Sequence, residues 1–128
     1  MKKFLALSIL LAFVSVAALA EHITGYVSDV QCASAGSKAA KATDWVNPKA
    51  FEGCVQKCAK NGSPLVFVTE DNKVLKLEGD SLKKASEHQG HRVSVNGTVE
   101  NGALKIDKIE NIKMEAQTTN NDQEKKMH

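Results

Sequence analysis

The stretch RVSVNGTVENGALKIDKIENIKM, residues 92–114, decides the fold class. Apolar and polar residues alternate on both sides of the Asn101-Gly102 pair, a pattern that is typical of half-buried strands. Asn-Gly is a preferred two-residue turn of a β-hairpin, so the stretch predicts two antiparallel strands. The residues of the first strand that are expected to share one face are Val93, Val95 and Val99.

The second strand of this hairpin has a change of phase. Leu104 and Ile106 share one face, but the next apolar residues, Ile109 and Ile112, follow at steps of three and so break the alternation. One extra residue in a strand reverses the faces of everything after it. We therefore predict a β-bulge near residues 107–108.

The rest of the chain supplies three more strands and two helices. Asn47-Pro48 is a favourable start for a helix, because Asn is a good N-cap and Pro is tolerated at the first helical position. Asn61-Gly62 is a favourable end for it. Its apolar stripe consists of Phe51, Cys54, Val55 and Cys58. The other predicted elements are a first strand at 23–32, a surface loop at 33–43 that allows a frayed helical turn, strands at 65–69 and 73–78, and a short helix at 81–88 capped by Ser81.

This order predicts a mostly β, α+β domain. Five strands with a short helix between the third and the fourth match a five-stranded OB-like barrel. A packed helix between the first two strands departs from the plain form of that fold. A small sheet with one packed helix is the alternative.

Two segments of the chain resemble a known family. GYVSDVQC at residues 25–32 and CVQKCAKNGSPLVFV at residues 54–68 resemble a family of small exported bacterial proteins of unknown function. Its members end, as residues 90–99 do here, in a GHRVSVNGTV type of strand. The resemblance spans roughly residues 23–112 and implies an exported domain with an OB-like or related β-fold and no established reaction. Similar sequences are expected to carry a histidine soon after the first cysteine, and residues 33–42 contain none.

The first twenty residues of the chain predict export. Lys2 and Lys3 precede an apolar run, and Ala18-Leu19-Ala20 follows it, which is the pattern of a cleavable signal peptide over residues 1–20. The apolar run is short for a membrane span. One domain is expected over residues 21–114, and a disordered polar tail over residues 115–128. We expect a periplasmic or secreted protein that is not inserted in a membrane after cleavage.

Charge and composition exclude some partners. The full chain has 17 Lys and Arg against 15 Asp and Glu, and two of the lysines lie in the predicted signal peptide. The mature chain is therefore neutral and poor in aromatic residues. Nucleic-acid binding is not expected, since it needs a basic groove with stacking rings.

Three cysteines in an exported protein are an odd number, and an oxidising compartment favours a disulfide. Cys54 and Cys58 are one helical turn apart, with Cβ atoms about 6 Å from each other. That is too far for a mutual disulfide, which needs about 3.8 Å. We predict that Cys32 pairs with Cys58 or, alternatively, with Cys54. Such a bond contributes about 3–4 kcal/mol in the chain-entropy model.

The unpaired cysteine has three interpretations. It is a buried free thiol that packs as a small apolar residue, or it forms an intermolecular disulfide. In the third interpretation Cys32, Cys54 and Cys58 converge as three thiolates, which suits Zn(II) or Cu(I).

The other polar residues give no pattern of a catalytic site. His22, His88 and His91 are interpreted as solvated or turn residues, and Asp29 as an acceptor of backbone N–H groups. No pair of acid and base at a known spacing is present. We therefore expect no catalytic residues, no cofactor and no enzyme. The leading hypothesis is an exported binding or structural module, stabilised by one disulfide, whose partner is a protein, a glycan or an envelope component. The alternative is a thiol-based metal-binding or redox protein.

Overall fold

A computed structural model describes residues 20–114 as an α+β fold with one five-stranded mixed sheet. The strands are β1 (Glu21–Asp29), β2 (Leu65–Thr69), β3 (Val74–Lys76), β4 (Arg92–Glu100) and β5 (Ala103–Asn111). The helices are α1 (Val30–Ala35), α2 (Phe51–Lys60) and α3 (Gly79–Ser86), and a 3-10 turn (Ala42–Asp44) lies between α1 and α2.

The sheet closes in a ring in the order β1-β2-β3-β5-β4. Neighbouring strands are antiparallel except for β3 and β5, which meet in a short parallel contact between Lys76 and Ala103. This ring, with a packed helix between β1 and β2 and a short helix between β3 and β4, confirms the predicted α+β class and its OB-like arrangement. Most of the predicted signal peptide, residues 1–19, and the predicted tail, residues 115–128, lie outside the described residues. Within residues 20–114, no helix is long and apolar enough to cross a membrane.

The predicted C-terminal hairpin and its bulge are confirmed. Asn101 and Gly102 form the turn with positive φ angles of 51° and 77°, as a two-residue hairpin loop requires. Asn96 of β4 pairs with Lys108, whereas the next residue pairs with Ile106, so one residue of β5 has no partner. The bulged residue is Asp107.

The core lies inside the ring and below the helices. Val93, Val95, Leu104 and Ile106 are all buried, as the alternation predicts. Val99 continues the same alternation but is 41% exposed. It lies beyond Gly97, the last residue of β4 that pairs with β1. The largest buried side chains elsewhere in the core include Tyr26, Val27, Val55, Phe67 and Val68.

The segment after β1 differs in part from the prediction. The first strand ends at Asp29 and not at Cys32, because the Asp29 side chain caps α1. Most of residues 33–43 are exposed, as the predicted surface loop requires. The segment also contains the end of α1 and most of the 3-10 turn, and Ala33 and Ala42 are buried in the core. Small residues suit this close packing, and their low hydrophobicity hides it from a sequence pattern.

Two helix starts differ from the prediction. Asn47 caps a turn through a bond from the Lys49 N–H, and α2 itself begins at Phe51. Helix α3 begins at Gly79, and Ser81 is not its cap. The Ser81 hydroxyl instead accepts a bond from the Ile106 N–H of β5 at 2.9 Å, which holds α3 against the sheet. The predicted end of α2 is confirmed, with Asn61 as C-cap and Gly62 at a φ of 99°.

Candidate thiol site

The three cysteines of the chain lie together where α1 meets α2. Cys32 belongs to α1, and Cys54 and Cys58 belong to consecutive turns of α2. Their three Sγ atoms all lie within 4.8 Å of one another, and the Sγ atoms of Cys32 and Cys54 are 3.3 Å apart. Cys32 and Cys58 are half-buried, whereas Cys54 is exposed. The predicted convergence of the thiols is therefore present in the fold.

Asp29 fixes the position of Cys32. Its Oδ2 atom accepts hydrogen bonds from the backbone N–H of Gln31 at 3.0 Å and of Cys32 at 3.3 Å. The hydroxyl of Ser63, which follows α2, donates to the same oxygen at 2.7 Å. An aspartate that accepts such bonds is a strong helix N-cap. The prediction that Asp29 accepts backbone N–H groups is confirmed, and the same carboxylate ties α1 to the end of α2.

The carboxylate of Asp29 also sets the electrostatics of the site. Asp29 is fully buried, and its Oδ1 atom has no hydrogen-bond partner among the described residues. Burial, the neighbouring Asp29 carboxylate and Cys54 all raise the pKa of Cys32 far above the ordinary thiol value. Burial, followed by the Asp29 charge, also raises the pKa of Cys58. These two sulfurs are protonated thiols at neutral pH.

The three cysteines are free thiols in this structure. A disulfide holds its sulfurs at about 2.0 Å, so the 3.3 Å separation of Cys32 and Cys54 is a thiol contact. The predicted pairing of Cys32 with Cys58 or Cys54 stays a prediction. The interpretation of a spare thiol that packs as a small apolar residue stays a prediction; Cys32 is half-buried and packs against the core, whereas Cys54 is exposed.

The separation of the sulfurs suits one metal ion. With metal–sulfur bonds of about 2.3 Å, sulfurs stand about 3.8 Å apart in a tetrahedral site and about 4.0 Å apart in a planar three-coordinate site. The observed separations, from 3.3 Å to at most 4.8 Å, bracket both values. The sulfur separations are therefore close to those that three ligands of one ion would have. Among residues 20–114, no other group of three metal-ligating side chains is this compact.

A mostly apolar pocket of about 330 Å³ opens beside the thiols. All three cysteines line it, together with Ala35 of α1 and the aromatic ring of Trp45. No charged side chain belongs to its lining. The remaining lining residues are Gln31, Asn47, Ala50 and Phe51. One side of the thiol cluster therefore faces space that a ligand can fill.

Long-range contacts hold the aromatic wall of the pocket. Trp45 packs edge-on against Phe51 with ring centroids 5.7 Å apart, and its ring N–H donates to the Asn72 side chain at 2.8 Å. Asn72 lies in the turn between β2 and β3, and its amide group donates to the backbone carbonyls of Gly36 and Ala39. A Cβ atom at Gly36 would lie 2.2 Å from the Trp45 ring, so a glycine is required there.

Sequence reasoning missed this wall. Trp45 is the single tryptophan of a chain with few aromatic residues, and this composition signal was the one that could have marked it as a candidate. Nothing in the spacing of residues indicates that Asn72 binds it, because the two residues belong to different elements.

The histidines lie elsewhere, as predicted. The His22 ring bonds Ser94 and Asn96 on the surface of the sheet. The Nε2 atom of His91 lies 3.2 Å from a carboxylate oxygen of Glu52, and the His88 ring bonds the side chain of Asn111. None of these histidines joins the thiol cluster.

Comparison of this chain with protein-family models, curated proteins and solved structures found no match.

Proposed function

We propose that this protein binds a soft metal ion through Cys32, Cys54 and Cys58. The observation that carries the proposal is the convergence of three sulfurs from two helices within 4.8 Å. Two of these sulfurs follow from the C-x3-C spacing on one helix face, but the third arrives from a separate helix. Thiolates are soft ligands that select Cu(I) or Zn(II) over harder ions.

Cu(I) is the better of the two ions for this site. Structural zinc sites use four protein ligands in almost all cases, and the cluster provides three. Cu(I) is satisfied by two or three sulfurs. When three thiols bind one Cu(I) ion, three S–H bonds break and three Cu–S bonds form. Three protons leave to solvent, and the metal-bound cluster carries a net charge of −2.

The test is a Cu(I) titration of the full chain, reduced beforehand and handled without oxygen. A chromophoric Cu(I) chelator competes with the protein, and intact mass under native conditions counts the bound metal. We expect one Cu(I) per chain. Each of Cys32→Ser, Cys54→Ser and Cys58→Ser is expected to weaken retention of the ion. Ser86→Ala, at an exposed position of α3 remote from the site, is the matched control for loss of a small polar group.

Two results argue against the proposal. If the wild-type chain loses all copper to the chelator while its three thiols remain reduced, the cluster is not a copper site. If the three serine variants retain copper as the wild type does, other groups hold the ion. Zinc is titrated in parallel. If the protein binds Zn(II) more tightly than Cu(I), the ion of the proposed site is Zn(II).

A disulfide module is the second candidate, and the 3.3 Å contact between Cys32 and Cys54 favours it. In this candidate the protein is a binding or structural module in which one disulfide joins α1 to α2. Alkylation of the exported protein with and without prior reduction separates the two candidates. One blocked cysteine without reduction supports the disulfide module, whereas three blocked cysteines support the thiol site.

Both candidates place the protein outside the cytoplasm and assign it no catalysis. Export rests on the sequence of residues 1–20, where Lys2 and Lys3 precede an apolar run and Ala18-Leu19-Ala20. A binding module of this kind would meet a protein, a glycan or an envelope component. Recovery of the chain in a periplasmic or culture fraction, with Glu21 as its first residue, is the corresponding test.

A further inference from the structure

The pocket beside the thiols suggests a more specific ligand than a bare ion. Its volume of about 330 Å³ lies at the lower end of the range for small-molecule sites. A dry cavity of about 150 Å³ already holds benzene, so an aryl group fits with room to spare. A bare metal ion bound by the three sulfurs would leave this space unused.

The two sides of the pocket differ in chemistry. Cys32 and Cys54 supply a pair of soft donors whose sulfurs are 3.3 Å apart. Ala35, Trp45, Ala50 and Phe51 contribute methyl groups and aromatic rings to its walls. A ligand that matches both sides has one atom that can form bonds to two sulfurs. The same atom carries one apolar organic group that packs against the rings and methyl groups.

The charge of the surroundings restricts the ligand further. No cationic side chain lines the pocket, and the buried carboxylate of Asp29 lies next to the sulfurs. An adduct that gathers negative charge on the sulfurs, as the three-thiolate Cu(I) complex does, is therefore weakened in this place by the Asp29 carboxylate. A neutral adduct avoids that cost.

From this geometry we propose that the pocket binds a monosubstituted trivalent arsenical, with arsenic on Cys32 and Cys54 and the organic group against Trp45 and Phe51. The proposal rests on the proposed function, because it uses the same sulfurs. In the reaction two thiols displace two hydroxides from R–As(OH)₂. Two As–S bonds form, two As–O bonds break, and each hydroxide leaves as water with one thiol proton. Arsenic stays trivalent, the adduct is neutral, and no oxidant is needed.

The experiment compares phenylarsine oxide, which is the anhydride of the phenyl compound, with inorganic arsenite. Both are titrated into the reduced full chain, and binding is followed by loss of titratable thiols and by intact mass. Burial of one aryl group is expected to make the phenyl compound bind about 10- to 100-fold more tightly than arsenite. The wild-type preparation is also titrated with Cu(I), so that failure of the thiol site is detected separately.

Variants of the pocket wall test the position of the organic group. Ala35→Leu on α1 extends a side chain into the space that the aryl group needs, and Ala50→Leu does so from the start of α2. Each is expected to reduce the preference for the phenyl compound to less than a third of the wild-type ratio. Ser34→Leu adds the same side chain at an exposed position of α1 that does not line the pocket, and it is expected to keep the ratio.

The outcomes are distinct. A strong aryl preference that both pocket variants reduce and Ser34→Leu preserves supports the proposal. If the protein binds Cu(I) but has equal affinity for the two arsenicals, the arsenical proposal is overturned and the proposed thiol site is retained. An aryl preference that the pocket variants do not change also overturns it. Failure to bind either Cu(I) or the arsenicals overturns both proposals.

Discussion

Removal of the Asp29 side chain tests how the fold builds the thiol site. In Asp29→Ala, α1 loses its N-cap, and the Ser63 hydroxyl loses its acceptor. Loss of an N-cap costs about 1 kcal/mol, and loss of a hydrogen bond to a charged acceptor costs about 1.5–3 kcal/mol. The variant also removes a buried carboxylate with one unpartnered oxygen, which is costly to bury, and this gain offsets part of the loss in stability. We expect a net loss of about 2–3 kcal/mol in the free energy of unfolding.

Asp29→Asn is the control for this variant. Asparagine caps helices as well as aspartate does and keeps one acceptor oxygen for the same donors. We expect it to lose less than half as much stability as Asp29→Ala. Urea denaturation of the reduced protein, followed by the fluorescence of Trp45, measures both variants. The reasoning is refuted if Asp29→Ala lies within about 0.5 kcal/mol of the wild type, or if the two variants are equally destabilised.

The remaining predictions concern pH and one close backbone contact. Since the pKa of Cys32 is raised in the fold, its thiol ionises in the unfolded chain near pH 9 before it ionises in the native state. The contribution of Cys32 to the stability of the reduced protein should therefore be fully present below about pH 9 and lost above it. We expect the urea midpoint of Cys32→Ser to fall less between about pH 8 and pH 10 than that of the wild type. An equal fall in both proteins would contradict this prediction. Gly97→Ala should lose about 1–3 kcal/mol, because the new Cβ would lie 2.0 Å from the Lys105 carbonyl oxygen. Gly53→Ala is the control, because its new Cβ inside α2 has no neighbour, and it should gain about 0.4–1 kcal/mol. If both variants change the thermal unfolding midpoint equally, the close contact at Gly97 does not determine stability.

The parts of the fold that follow from local chemistry could be predicted from the sequence. The alternation around Asn101 and Gly102 determines both strands of the last hairpin, because a two-residue turn with positive φ angles fixes their register. The bulge at Asp107 is visible as a change of phase in the same pattern. Each of these features depends on neighbours within a few residues.

The site depends on contacts that the sequence pattern does not contain. The C-x3-C spacing places Cys54 and Cys58 on one helix face, but the position of Cys32 depends on a cap at Asp29 within what looks like a continuous strand. The pocket wall requires Trp45 to meet Asn72, which lies in a turn two elements further along the chain. Such contacts form between elements after folding, and no local periodicity encodes them.

The most direct test of the thiol site is the count of sulfur atoms around bound copper. X-ray absorption at the copper edge is measured on the reduced full chain loaded with one equivalent of Cu(I). The account predicts three sulfur neighbours in the wild type and two in Cys58→Ser, because one serine replaces one of three converging cysteines. A copper ion surrounded by nitrogen or oxygen atoms, or a spectrum that Cys58→Ser leaves unchanged, would contradict the account.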